Sequence, residues 1–236
     1  MVIEASAARS GAGQPAPARS YKRRQGRMSG SKLRALDELG PRWMLPTPTE
    51  VLELGKAFGR SAPCLLDVGF GDGRATAAYA TAHPDHDVLA VDVHPTGIAH
   101  LLRAIDRTEL TNVRIVDGDA HELAARLAPG SLQAVHVYFP DPWPKRRHHP
   151  RRLLQAAFVG RLATALGTAG RLGVATDWSE YAAAIRDTLL ADGRFLLVPG
   201  GPDGFSPRPV DRPVTSYERR GLAAGRSIYD LVAERR

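Results

Sequence analysis

From position 64 onward short apolar runs alternate with longer helical patterns, and this alternation constrains the fold more than any other feature of the chain. Strand-like runs rich in Val, Leu and Ile fall at 64–68, 88–93, 113–116, 132–138, 171–176 and 195–198. Helix-like segments intervene at 74–82, 95–107, 121–127, 151–166 and 178–190. Strands separated by helices are joined by crossovers, so they pair in parallel and carry helices on both faces of one sheet. The fold class is therefore α/β with a mostly parallel sheet. A last alternating run at 227–233 predicts a closing strand that fits antiparallel pairing, after a Gly- and Pro-rich loop at 199–213.

The chain ahead of this pattern has a different character. Residues 1–18 are Ala, Gly, Ser, Pro and Arg with little to bury, which predicts a disordered tail. Residues 19–29 are basic with one aromatic, and a helix is expected around 30–39. The expected organisation is a tail at 1–18, a basic segment at 19–40 and one α/β domain at 41–236.

Charge and cysteine narrow the partners. The formal net charge is +7, carried almost wholly by arginine. Guanidinium forks pair bidentately with phosphate and stack on bases, so nucleic acid is the expected partner. The single cysteine, Cys64, opens an apolar strand and reads as a buried structural thiol. No apolar run approaches a membrane span and no signal-peptide core is visible, so a soluble cytoplasmic protein without membrane contact is expected.

The first strand runs into Asp67-Val-Gly69-Phe-Gly71-Asp-Gly73-Arg. Alternate glycines allow a tight turn and close approach of a ligand to the backbone. The spacing is not the G-x-G-x-x-G of dinucleotide binders. Asp67, two places before the first glycine, disfavours a pyrophosphate and favours a cation such as a sulfonium. Asp92, ending the second strand, stands where a carboxylate takes ribose hydroxyls. Asp119 follows the third strand, where it either accepts from an adenine amino group or caps a helix; Ala120 then packs on the ring. Three carboxylates after three successive strands, around a glycine turn, resemble the S-adenosylmethionine site of class I methyltransferases, a Rossmann-like fold.

After the fourth strand comes Phe-Pro-Asp141-Pro-Trp143-Pro-Lys145-Arg-Arg147-His148-His149-Pro150-Arg151-Arg152. Its prolines fix φ and remove backbone donors, so the loop is stiff. This segment resembles the Phe-Pro-Asp-Pro-Trp-x-Lys-x-Arg-His-x-x-Arg-Arg signature of bacterial tRNA (guanine-N7)-methyltransferases, the TrmB family. The basic segment at 19–27, Thr176-Asp177-Trp178 with Tyr181, and Thr215-Ser216-Tyr217-Glu218-Arg-Arg-Gly221 resemble further family elements. The resemblance implies methylation of guanine 46 in the tRNA variable loop, with no obligatory protein partner. It implies cofactor contacts at Asp67, Asp92, Asp119 and Asp141, with Gly69 and Gly71 in the turn. It implies substrate contacts at Lys145, Asp177, Thr215, Ser216, Tyr217 and Glu218, and RNA contacts at Arg147, His148, Arg151 and Arg152. Asp67 and Asp92 stand where glutamate is common, and Pro150 where lysine is usual.

The chemistry agrees with this pattern. Guanine N7 carries a free lone pair, so attack needs no strong base, and alignment is the main task. Positive charge passes from sulfonium to purine, where a carboxylate can stabilise it. Asp141 is the first catalytic candidate and Asp177 the second. Adjacent histidines at 148–149 point apart and suggest no metal site. Two other readings compete: methylation of an exocyclic amine in nucleic acid, and a non-catalytic RNA-binding module with a degenerate cofactor site.

Overall fold

The computed structural model describes residues 20–21, 28–198, 200 and 203–236. The expectations for 1–18 and for most of 19–29 lie outside the described residues.

The chain runs α1 (Gly30–Trp43), β1 (Met44–Leu45), α2 (Leu54–Phe58), β2 (Cys64–Val68), α3 (Arg74–Ala82), β3 (Asp87–Asp92), α4 (Pro95–Arg107), β4 (Val113–Asp117), α5 (Ala120–Ala124) and β5 (Leu132–Tyr138). A 3-10 turn (Arg146–Arg151) follows, then α6 (Ala156–Ala165), β6 (Leu166–Thr176), α7 (Ser179–Asp192), β7 (Phe195–Leu197), α8 (Ser216–Ala223) and β8 (Tyr229–Arg235). The sheet order is β1-β4-β3-β2-β5-β6-β8-β7. Pairing is parallel from β1 through β6, and β8 is antiparallel to both β6 and β7. The order reverses at β2, which sits between β3 and β5. Ligands of open α/β sheets bind at such a switch point, outside the carboxyl ends of the strands.

Every residue of β2 and β3 is buried, because strands covered on both faces read as continuous apolar runs. Leu65, Val88, Ala90 and Ile115 face α1, α3 and α4 through Trp43, Ala80, Ile98 and Leu101. Their neighbours Leu66, Leu89, Val91 and Val137 face α6 and α7 through Phe158, Leu162, Tyr181 and Ile185. Cys64 is buried, and burial pushes its thiol pKa up to about 12, so it packs as a small hydrophobe.

Two predicted bounds are corrected. The helix expected at 151–166 is split: the 3-10 turn ends at Arg151 and α6 begins only at Ala156. Pro150 lacks the N–H that a longer helix would use there. Strand β6 starts at Leu166 rather than 171, where Leu166 pairs with Leu132 across a register shift. The short elements β1 and α2, and helix α8, were not legible from periodicity.

Candidate active site

Between β2 and α3 the chain turns through Gly69, Gly71 and Gly73 at φ +68°, +63° and +72°. A Cβ at Gly73 would stand 2.6 Å from Leu101 Cβ, so α4 presses directly on the turn. Asp92 locks it from the neighbouring strand: one oxygen accepts from the Gly71 amide (3.0 Å), the other from Val93 (2.7 Å) and His94 (2.9 Å). Burial raises the Asp92 pKa and these amides oppose the rise. Asp67 is buried and accepts from Thr76 Oγ1 at 2.7 Å. Burial lifts its pKa to about 6, the Thr76 bond opposes this, and the Asp92 charge adds to it. Such a carboxylate is stabilised by an incoming cation.

Asp119 accepts from the His121 amide at 2.7 Å and caps α5, while Gly118 and Ala120 line the cleft. Of the two roles open to Asp119, the helix cap is the one the described contacts display. The cleft itself is floored by Val68, Gly69, Gly71 and Val91 and reaches Asp92, His94, Tyr138 and Asp141. Ser20 and Tyr21 also line it.

The loop after β5 is strained at both aromatic ends, with Phe139 at φ +55° and Trp143 at φ +45°. Bulky side chains seldom adopt this region, and such strain concentrates at functional sites. Trp143 is buried and its indole N–H donates to the Ser20 carbonyl at 3.1 Å, so it anchors the loop. The Arg151 guanidinium lies 5.1 Å over its ring. Asp141, held between Pro140 and Pro142, stays exposed and lines both the cleft and an open groove beside it. Lys145, Arg147 and Arg151 are exposed on the same segment, with His148 partly so.

Arg152 turns inward from the basic run. Its guanidinium is 3% exposed, forks onto Glu180 at 2.7 and 3.0 Å, and donates Nε to the Pro142 carbonyl at 2.9 Å. It is an internal strut that fixes the loop.

The other wall of the site is α8. Thr215 caps it, its Oγ1 accepting from the Glu218 amide at 3.0 Å. Thr215, Ser216 and Tyr217 close over a small cavity that contains Asp67 and Gly69. The Glu218 side chain is 4% exposed and bonded to Arg212 at 2.8 and 2.9 Å and to Arg208 at 3.0 Å, so in this structure it braces α8 from within. Arg212 is fully buried, pairs with Asp230 of β8 at 2.7 Å, and lies 5.6 and 5.9 Å over the Tyr138 and Phe139 rings. One guanidinium thus ties α8, β8 and the strained loop together. Asp177 pairs with Arg226 at 2.7 Å and packs against Gly221 of α8.

The open groove runs between the start of α4, the 141–144 loop and α8, past His94, Thr96, His100, Trp143, Tyr217 and Arg220. Arg220 stacks on Tyr217 at 4.5 Å. Sequence reasoning missed His94, Gly97, His100, Arg212 and Arg220. Helix spacing along 95–107 was the available signal for His100; nothing local marked Arg212.

A cleft with acidic groups after successive parallel strands, a turn of glycines at positive φ, and a buried carboxylate poised for a cation fits S-adenosylmethionine. Fold and site together define a class I S-adenosylmethionine-dependent methyltransferase. The sequence pattern of a family described as "Putative methyltransferase" matches residues 61–231. Two of the most similar relatives are the tRNA (guanine-N(7)-)-methyltransferases of Ralstonia pickettii and Halorhodospira halophila. The first is 46% identical over 98% of this chain and 91% of its own, the second 45% over 93% and 95%. The chain belongs to the bacterial tRNA (guanine-N7)-methyltransferase family. Among solved structures, the 16S rRNA (adenine(1408)-N(1))-methyltransferase of Catenulisporales acidiphilia is similar in fold, with a TM-score of 0.52 and 22% identity over 77% of this chain and 89% of its own.

Proposed function

We propose that this protein transfers a methyl group to N7 of a guanine in tRNA, at position 46 of the variable loop, in the cytoplasm and without an obligatory protein partner. The observation that carries the reading is the placement of exposed Asp141 where the cofactor cleft meets the open groove. Bound S-adenosylmethionine supplies an electrophilic methyl on a sulfonium. Asp67, Gly69, Gly71, Asp92, Asp119 and Ala120 form its cradle, with Asp67 offering the charge complement.

Asp141 either offsets the positive charge arising on the purine or accepts guanine N1–H and N2–H, while the site aligns N7 with the methyl. N7 keeps its lone pair at neutral pH, so no residue has to remove a proton before attack. Tyr217, stacked under Arg220, offers a face for the base, and Thr215 and Ser216 border it. Asp177 acts at one remove, holding Arg226 and α8. Lys145, Arg147, His148 and Arg151 meet the RNA backbone. Side chains cannot read the deep major groove of A-form RNA, so the base is taken from a loop or drawn out of its stack.

The test is transfer from labelled S-adenosylmethionine to an unmodified tRNA transcript, mapped by cleavage specific for N7-methylguanosine. One cleavage in the variable loop is expected. Label without that cleavage would favour the exocyclic-amine reading. The absence of cofactor binding would favour a non-catalytic module.

A further inference from the structure

The groove beside Asp141 has a second charged lip. Thr96, His100 and Arg103 of α4 are spaced by four and three residues, which puts them on one face of the helix. Thr96 and His100 line the groove itself. Arg103 continues the stripe and donates to the Ser31 carbonyl at the start of α1, bringing Lys32 alongside. Arg74, exposed at the start of α3, completes the cluster from a third element.

These cations crowd one another. Burial and then Lys32 and Arg103 lower the His100 pKa, Asp72 opposes them, and Arg74 lowers it further. Arg74 reaches Asp72 only at 3.8 Å, with the guanidinium 77% exposed. Among the described residues neither Lys32 nor Arg103 has a carboxylate within ion-pair distance. Asp72, which also lines the groove, is the one counter-charge among these described cations from three elements, so they still repel one another and an external anion relieves the repulsion. Across the groove stand the exposed cations Lys145, Arg147 and Arg151. A nucleotide whose base enters the groove has phosphates on both sides, and each lip then meets one flank of the strand.

We propose that Lys32, Arg74, His100 and Arg103 form a second phosphate rail, opposite the 145–151 segment, which grips the RNA strand on the other side of the target guanine. The inference rests on the tRNA-methylating reading and assigns it a second contact surface.

The test compares two charge-matched double variants of the full chain, Lys32→Gln/Arg74→Gln on the rail and Lys56→Gln/Arg126→Gln away from the groove. Affinity for unmodified tRNA is measured over a range of salt, beside S-adenosylmethionine affinity and turnover at saturating tRNA. The rail variant is expected to bind tRNA about tenfold more weakly at low salt, with a slope of log affinity against log salt shallower by about 1.5, as two lost phosphate contacts require. Its cofactor affinity and saturated turnover stay at wild-type values. Arg103→Gln adds a further loss in the same direction. Equal losses and equal slopes in both double variants would overturn the rail, since net charge alone would then account for the effect. Wild-type protein that methylates no tRNA would sink the functional reading and the rail with it, whereas methylation with an unchanged slope in the rail variant would sink the rail alone.

Discussion

Arg212→Met is the most informative single change in the scaffold. Arg212 is fully buried and faces two buried carboxylates, Glu218 at 2.8 Å and Asp230 at 2.7 Å. Methionine fills similar space without the charge, leaving two like charges together in the interior, relieved only by Arg208. Removing one partner of a buried pair costs about 3–5 kcal/mol. For a chain of this size each kcal/mol moves the melting temperature by about 2–4 °C, so a drop of roughly 6–20 °C is expected. The pH dependence has a definite sign. Burial alone would raise the Glu218 pKa, but Arg212 and Arg208 hold it below the usual carboxylate range. That contribution is present above the unfolded pKa and is lost as pH falls through the lower folded value. In the variant both acids are raised, so their cost is greatest at neutral pH and disappears as they take up protons. Thermal melts of wild type and variant from pH 8 down to pH 5 should therefore converge on acidification. A variant as stable as wild type at pH 7.5, or a gap that does not narrow in acid, would refute the reasoning.

Three further outcomes follow from the site. Asp141→Ala should abolish turnover while tRNA binding survives, read by single-turnover kinetics beside a binding titration; unchanged turnover would remove Asp141 from the mechanism. Gly97→Ala should weaken S-adenosylmethionine binding by about tenfold or more, because the new Cβ would stand 2.1 Å from the Gly71 carbonyl oxygen and push the turn aside; unaltered calorimetric affinity would show that the turn tolerates the shift. Cofactor affinity should fall as pH drops below about 6, where Asp67 takes up a proton and loses its charge, by up to about tenfold per pH unit. Asp67→Asn should bind weakly at every pH. An affinity that is flat from pH 8 to pH 5 in the wild type would separate Asp67 from the cofactor.

The parts of this molecule that repeat a local rule were legible from residues alone. The bounds of β2, α3, α4 and β5 coincide with their apolar patterns, because each element buries one complete face or both. The glycine turn and the Phe-Pro-Asp-Pro-Trp loop were legible because φ restrictions are written in Gly and Pro. Long-range pairing was not. Arg152 reads as one cation in a basic run, and only the fold turns it inward onto Glu180, 28 positions away. Glu218 looks like a surface acid until Arg212 and Asp230 close around it. Helix α8 is short, with a polar composition, so its existence depends on the Thr215 cap and that buried network rather than on periodicity. Asp119 shows the same limit, since a strand-end aspartate serves a ligand or a helix cap with the same local sequence.

The central claim, that the attacking atom is guanine N7 in the variable loop, is tested most directly by removing that atom. A tRNA carrying 7-deazaguanosine at position 46 keeps the base's pairing edge and shape but has carbon where N7 was. Labelled S-adenosylmethionine should transfer to the unmodified transcript and not to the substituted one, while both bind equally. Transfer to the substituted tRNA at the normal rate would contradict the account and move the reaction to another atom.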